Sequence, residues 1–180
     1  MGRTAGVNGG PRRRLFFALW PDARAADSLD RIAQWCEHRC GGQAVARENL
    51  HLTLLFLGEL DARQMVLAQR VGGGVLSRCA LRLGRVEYWP RAGVLAAVPE
   101  TPVPALERAV TTLRAALGRD LPLPREPFAA HVTLVRRAQA LTDLPITPVD
   151  WTADSFALVE STRDSTGAPV YVPLEFWSAA

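Results

Sequence analysis

The stretch Glu48-Asn49-Leu50-His51-Leu52-Thr53-Leu54-Leu55-Phe56-Leu57-Gly58 is apolar along most of its length, yet a histidine and a threonine stand two apart near its start. In an extended strand, residues two apart point to one face and their neighbours to the other. His51 and Thr53 therefore share a face, and Leu50, Leu52, Leu54 and Phe56 are expected to pack a core on the opposite side. The pattern returns in Phe128-Ala129-Ala130-His131-Val132-Thr133-Leu134-Val135, with His131 and Thr133 on one face and Val132 and Leu134 on the other. Two of the 3 histidines in the chain sit in this His-x-Thr-Leu frame. With 11 threonines among 180 residues, two such coincidences arise by chance about 1% of the time, so the repeat carries information.

The segments around the motifs repeat an order. Leu15 to Trp20 reads as a buried strand stopped by Pro21. Asp22 can cap a helix whose Ala26, Leu29, Ile32, Ala33 and Cys36 recur at three and four, and Gly41-Gly42 ends it. An extended piece from Gln43 to Arg47 leads into the first motif. Asp61 caps a weaker helix with Met65, Ala68 and Val71, broken by Gly72-Gly73-Gly74. In the second half, Leu81, Leu83 and the run through Trp89 form a strand, Arg91-Ala92-Gly93 turns it, and Val94 to Val98 returns as a hairpin. Pro102 to Leu117 follows as a helix with Leu106, Val110, Leu113 and Leu117 on one face, closed by Gly118. A loop with Pro122, Pro124 and Pro127 delivers the second motif. Phe156 to Ser161 and Val170 to Trp177 are closing strands joined by a turn at Asp164 to Gly167.

Strand, helix, motif strand thus occurs twice, the mark of an internal duplication. A pseudo-two-fold axis between the copies brings both histidines to one central cleft. The expected fold is α+β and bilobal: two pseudo-symmetric lobes, each with an antiparallel sheet and flanking helices.

At 180 residues the chain is one domain's worth of sequence, here residues 14–180, preceded by a leader over residues 1–13 that is rich in Gly, Asn and Arg and read as disordered. A composition of 48% apolar and 22% charged residues is that of a soluble globular protein. The net charge of +3 permits a polyanionic partner without demanding one. Three cysteines, Cys36, Cys40 and Cys79, do not make a disulfide framework, so free thiols and a cytoplasmic location are expected; separately, the chain is expected to be a monomer. Arg12-Arg13-Arg14 with Leu15 to Trp20 is too short for a signal peptide and is followed by Pro21-Asp22 instead of a cleavage site. No run has the length of a membrane span, and Gly6 stands where a myristoylation motif needs Ser or Thr.

Two imidazoles facing one cleft are the equipment for metal-independent phosphodiester cleavage. One takes a proton from the attacking water while the other gives a proton to the departing oxygen, and a pKa near 6.5 makes both states available near neutrality. Threonine hydroxyls and a cation would hold the non-bridging oxygens. Simple strand parity places Arg137 on the histidine face and Arg136 behind it unless a bulge intervenes, and it places Phe56 in the core. The competing site is a zinc centre at Cys36, His38 and Cys40. On a helix His38 leaves the face shared by the two cysteines, and no second cluster supplies further ligands, so no metal is expected.

Asn49-Leu50-His51-Leu52-Thr53-Leu54 with Phe56-Leu57-Gly58, and His131-Val132-Thr133-Leu134-Val135-Arg136, resemble the two signatures of the 2H phosphoesterase superfamily. More narrowly, the chain is similar to the bacterial RNA 2′,3′-cyclic phosphodiesterases, or 2′-5′ RNA ligases. The likeness extends from Arg14-Leu15-Phe16-Phe17-Ala18-Leu19 to Ser161, Gly167, Tyr171 and Trp177. It implies two antiparallel sheets around a cleft, no metal and no cofactor. It implies His51 as proton donor to the leaving 3′ oxygen, His131 as proton acceptor from water, and Thr53, Thr133 and Arg136 on the phosphate, against the parity reading for Arg137. The expected activity is hydrolysis of an RNA 2′,3′-cyclic phosphate end to a 2′-phosphomonoester, with reversible 2′-5′ ligation as its counterpart. Relatives commonly carry Pro immediately before the second histidine, where this chain has Ala130. The competing readings are a non-catalytic protein that binds RNA ends, and a cyclic phosphodiesterase acting on a small nucleotide such as an ADP-ribose derivative.

Overall fold

The computed structural model describes residues 10–139 and 144–180. Nine strands and three α-helices follow in the order β1 (Arg13–Leu19), α1 (Ala23–Cys40), β2 (Gln43–Ala44), β3 (Leu52–Leu60), α2 (Ala62–Gln69), β4 (Cys79–Trp89), β5 (Val94–Pro99), α3 (Pro104–Leu117), β6 (Val132–Arg136), β7 (Leu144–Ala153), β8 (Ser155–Arg163) and β9 (Pro169–Ser178). The α+β class is the one the sequence implies.

Local chemistry sets the helix ends. Asp22 caps α1 by accepting from the Ala25 amide at 2.8 Å, and Gly41 closes it at φ 65°, where a side chain would be strained. Asp61 and Gln64 form a reciprocal capping box on α2. The buried stripe of α1 runs through Ala25, Leu29, Ala33, Cys36 and Cys40, and that of α3 through Leu106, Ala109, Val110, Leu113 and Leu117. Each fully buried leucine contributes on the order of 1.5–3 kcal/mol.

The strands form one antiparallel path in the order β7-β4-β5-β6-β3-β1-β8-β9, with β2 added beside β6. Its two halves, β7-β4-β5-β6 and β3-β1-β8-β9, join through the pairing of Leu52 with Val132. The two lobes expected from the sequence, each with its own antiparallel sheet, are therefore halves of a continuous sheet. The helices cross over: α1, which follows β1, packs on β6 and β7, whereas α3, which follows β5, packs on β3. Each motif strand is thus backed by the helix of the other repeat. Phe17, Phe156 and Trp177 pack together at ring separations of 5.0–6.1 Å and anchor the closing hairpin to β1.

Of the expected leader, residues 1–9 lie outside the described residues, and its boundary moves. Arg13 belongs to β1, and its guanidinium grips Glu160 of β8, with Nε donating at 2.7 Å. The strand β7 carries Pro145 and Pro148, which argue against a strand in sequence. It forms because it is an edge strand, where a missing N–H leaves no ladder bond unmade. Among the described residues, no helix is long and apolar enough to cross a membrane.

Candidate active site

The antiparallel Leu52–Val132 pair fixes the geometry at the centre of the sheet. One residue to either side of it, His51 stands beside Thr133 and Thr53 beside His131. All four side chains line one cleft of about 850 Å³, together with Phe56, Arg136, Arg137 and Tyr171.

Both histidines are oriented in the same way. Each Nδ1 donates to the carbonyl two residues earlier, His51 to Asn49 at 2.7 Å and His131 to Ala129 at 2.8 Å. A carbonyl only accepts, so each neutral ring carries its proton on Nδ1 and turns the lone pair of Nε2 to the cleft. In that state the Thr53 hydroxyl donates to His51 Nε2 at 3.1 Å. Nothing among the described residues hydrogen-bonds to His131 Nε2.

Their surroundings differ. His51 is enclosed by Phe16, Trp20 and Tyr171, at centroid separations of 5.1, 5.4 and 4.8 Å. These rings cap a small core of Phe16, Ala18, Ala157 and Val159 inside the cleft face. Trp20 is held by donating Nε1 to the Glu48 carbonyl, and Asn49 donates to the Pro169 carbonyl, tying the approach to His51 to the start of β9. Burial pushes the His51 pKa down to about 4, with the Arg136 and His131 charges adding to the effect and the Asn49 carbonyl opposing it. His131 packs against Trp89, at 4.4 Å, and is also lowered, by burial first and by Arg136.

Two bulges correct the parity readings. The β1–β3 register skips at Leu54, so Leu54 and Leu55 are both buried and Phe56 turns to the cleft, 44% exposed, instead of entering the core. The β5–β6 register skips in the same way at Leu134, burying Leu134 and Val135 and bringing Arg136 to the histidine face. Arg136 Nη2 donates to the Tyr171 hydroxyl at 3.4 Å. Arg137 follows in the left-handed region at φ 53° and also lines the cleft. Trp20, Trp89 and Tyr171 escaped the sequence reading of the site. Tyr171 was visible only in the closing segment, and nothing local ties it to His51.

The candidate zinc residues do not converge. Cys36 and Cys40 point into the core, while His38 is on the exposed side and bonds the Gln34 carbonyl through Nδ1 at 2.7 Å. Burial raises the Cys36 thiol to about 11, which leaves it unreactive near neutrality.

Paired His-x-Thr strands thus meet at the centre of one antiparallel sheet, where the resemblance to the 2H phosphoesterases implies two sheets around a cleft. The chain belongs to the 2′-5′ RNA ligase superfamily, whose family model matches residues 20–165. It is 29% identical to an RNA 2′,3′-cyclic phosphodiesterase of Escherichia coli (strain K12) over 175 residues, covering 92% of this chain and 96% of that protein. A Thermus thermophilus protein of the same name is 29% identical over 178 residues, covering 92% and 89%. The solved structure of E. coli LigT complexed with 3′-AMP superposes with a TM-score of 0.82 at 29% identity, over 93% of this chain and 98% of that one.

Proposed function

We propose that the protein hydrolyses RNA 2′,3′-cyclic phosphate ends to 2′-phosphomonoesters, with His51 and His131 as proton donor and acceptor and no metal in the reaction. The observation that carries this reading is the placement of two Nε2 atoms and two threonine hydroxyls on one cleft, in a chain whose relatives are named for that activity.

The cyclic phosphate sits between the histidines with its non-bridging oxygens on Thr53, Thr133 and Arg136. His131, with an open Nε2 lone pair, takes a proton from water as the water oxygen attacks phosphorus. The bond from phosphorus to the 3′ oxygen breaks, and His51 delivers a proton to that oxygen. One water is added, and the products are a 2′-phosphomonoester and a free 3′-hydroxyl. In the free site burial keeps His51 neutral, so the proton it gives is taken up when the phosphodiester anion binds beside it and offsets the Arg136 charge. Thr53, which donates to the neutral ring, then turns its hydroxyl to a non-bridging phosphate oxygen and leaves the His51 Nε2 proton for the 3′ oxygen. Arg136 and the hydroxyls favour the pentacoordinate state, whose charge exceeds that of the ground state.

The same proton transfers serve ligation, in the same direction as hydrolysis. A 5′-hydroxyl in place of water would attack the cyclic phosphate and leave a 2′-5′ linkage, without ATP. Phe56 offers a terminal base an apolar face at the edge of the cleft.

The test is product analysis of an oligoribonucleotide ending in a 2′,3′-cyclic phosphate, incubated with protein and chelator. A 2′-phosphate end is expected. An unchanged substrate, or a 3′-phosphate, contradicts the reading.

A further inference from the structure

The cleft continues past the reacting groups along the wall made by β1 and β8. Leu15 pairs with Glu160, which sets Arg14 beside Ser161, and Arg163 lies two residues further on the same side of β8. The Arg14 guanidinium carbon is 5.9 Å from the Phe56 ring centroid, and Arg14 forms no ion pair among the described residues. Arg163 Nη1 donates to the Gly167 carbonyl at 2.6 Å, which fixes the side chain at the β8–β9 turn and spends only one of its N–H groups. Glu59 pairs with Arg14 across β3 and, among the described residues, is the single carboxylate of the lining, set against four arginines. The reacting phosphate engages one of these, Arg136. Arg137 follows it in the chain, and Arg14 and Arg163 carry the positive charge on the Phe56 side, beyond the place where a terminal base would lie.

We infer that Arg14 and Arg163 form a second anion subsite, for the phosphate on the 5′ oxygen of the terminal nucleoside, so that the cleft selects RNA ends over isolated nucleoside cyclic phosphates. This rests on the placement of the reacting phosphate at the two histidines. Guanidinium groups suit the role because their planar N–H forks match phosphate oxygens.

The test compares adenosine 2′,3′-cyclic phosphate with the same compound carrying a 5′-phosphate. The two differ only in the group the subsite would hold. The wild-type kcat/KM is expected to favour the 5′-phosphorylated compound by about tenfold or more, mostly through KM, as one charge-assisted contact would give. Its KM should also rise more steeply with salt, since an exposed charge contact is screened. Arg14→Gln and Arg163→Gln should each reduce this preference, and Arg14→Lys should restore part of it. Equal kcat/KM for the two compounds in the wild type, or a preference untouched in both glutamine variants, would overturn the subsite and leave the two-histidine reading standing. Failure of the wild type to turn over either compound or a cyclic-ended oligoribonucleotide would overturn both.

Discussion

Phe56 and Arg136 are structural counterparts: each stands five residues beyond its motif histidine, and each is turned to the cleft by a bulge that buries the two residues before it. The fold is nearly symmetric there, and the chemistry is not. One copy of the repeat presents a ring, the other a cation, so a substrate with a base at one end and a phosphate at the other has one orientation.

This asymmetry separates two kinds of kinetic defect. Phe56→Ala should raise KM about tenfold with little change in kcat, since it removes a stacking surface that acts equally before and during reaction. Arg136→Gln should lower kcat by about 10²-fold or more, because the charge it offsets grows in the transition state. Steady-state kinetics on a cyclic-ended oligonucleotide distinguish them, and a pure KM effect for Arg136→Gln would contradict its place on the phosphate.

Gly42 holds the Arg136–Arg137 segment from behind. It sits at φ 88°, and a Cβ there would lie 2.6 Å from the Arg136 carbonyl oxygen. Gly42→Ala is therefore expected to cost about 1–3 kcal/mol of stability and to lower kcat by displacing the cation. Thermal unfolding together with kcat measures both; an unaltered melting temperature contradicts the tight approach.

Acid sensitivity follows from the enclosure of His51. Its pKa is near 4 in the folded chain and near 6.5 when unfolded. Between those values the unfolded state binds more protons, so stability is full above pH 6.5 and falls as pH drops toward 4. The loss amounts to as much as about 3 kcal/mol, less where water reaches the ring. His51→Gln should flatten this limb in denaturant titrations from pH 7 to 4. An equally steep limb in the variant would show that other groups cause it.

Activity should carry the same signature. Both free imidazoles titrate below their ordinary value, so the bell of kcat/KM should peak below pH 6.5. The kcat profile, measured with the anion bound, should lie at higher pH. A kcat/KM optimum above pH 7 would contradict the lowered values.

Much of this was legible in the sequence, because the signals were local. The Asp22 cap, the three-and-four stripe of α1 and the alternation around His51 and His131 each report a neighbour in the chain, and the repeated order of elements pointed to one shared cleft. What stayed hidden was set at a distance. Period-two parity placed Phe56 and Arg136 wrongly because a bulge depends on the partner strand. Pro145 and Pro148 hid β7 because their tolerance comes from its edge position. Tyr171 meets His51 only after the sheet curls.

The most direct measurement is single-turnover hydrolysis of a cyclic-ended oligonucleotide by the wild type, His51→Ala and His131→Ala, with chelator present and folding verified by melting. A loss of about 10²–10⁴-fold in each variant is expected from removing one partner of an acid–base pair. Near-wild-type turnover by either variant would contradict a reaction carried by two histidines.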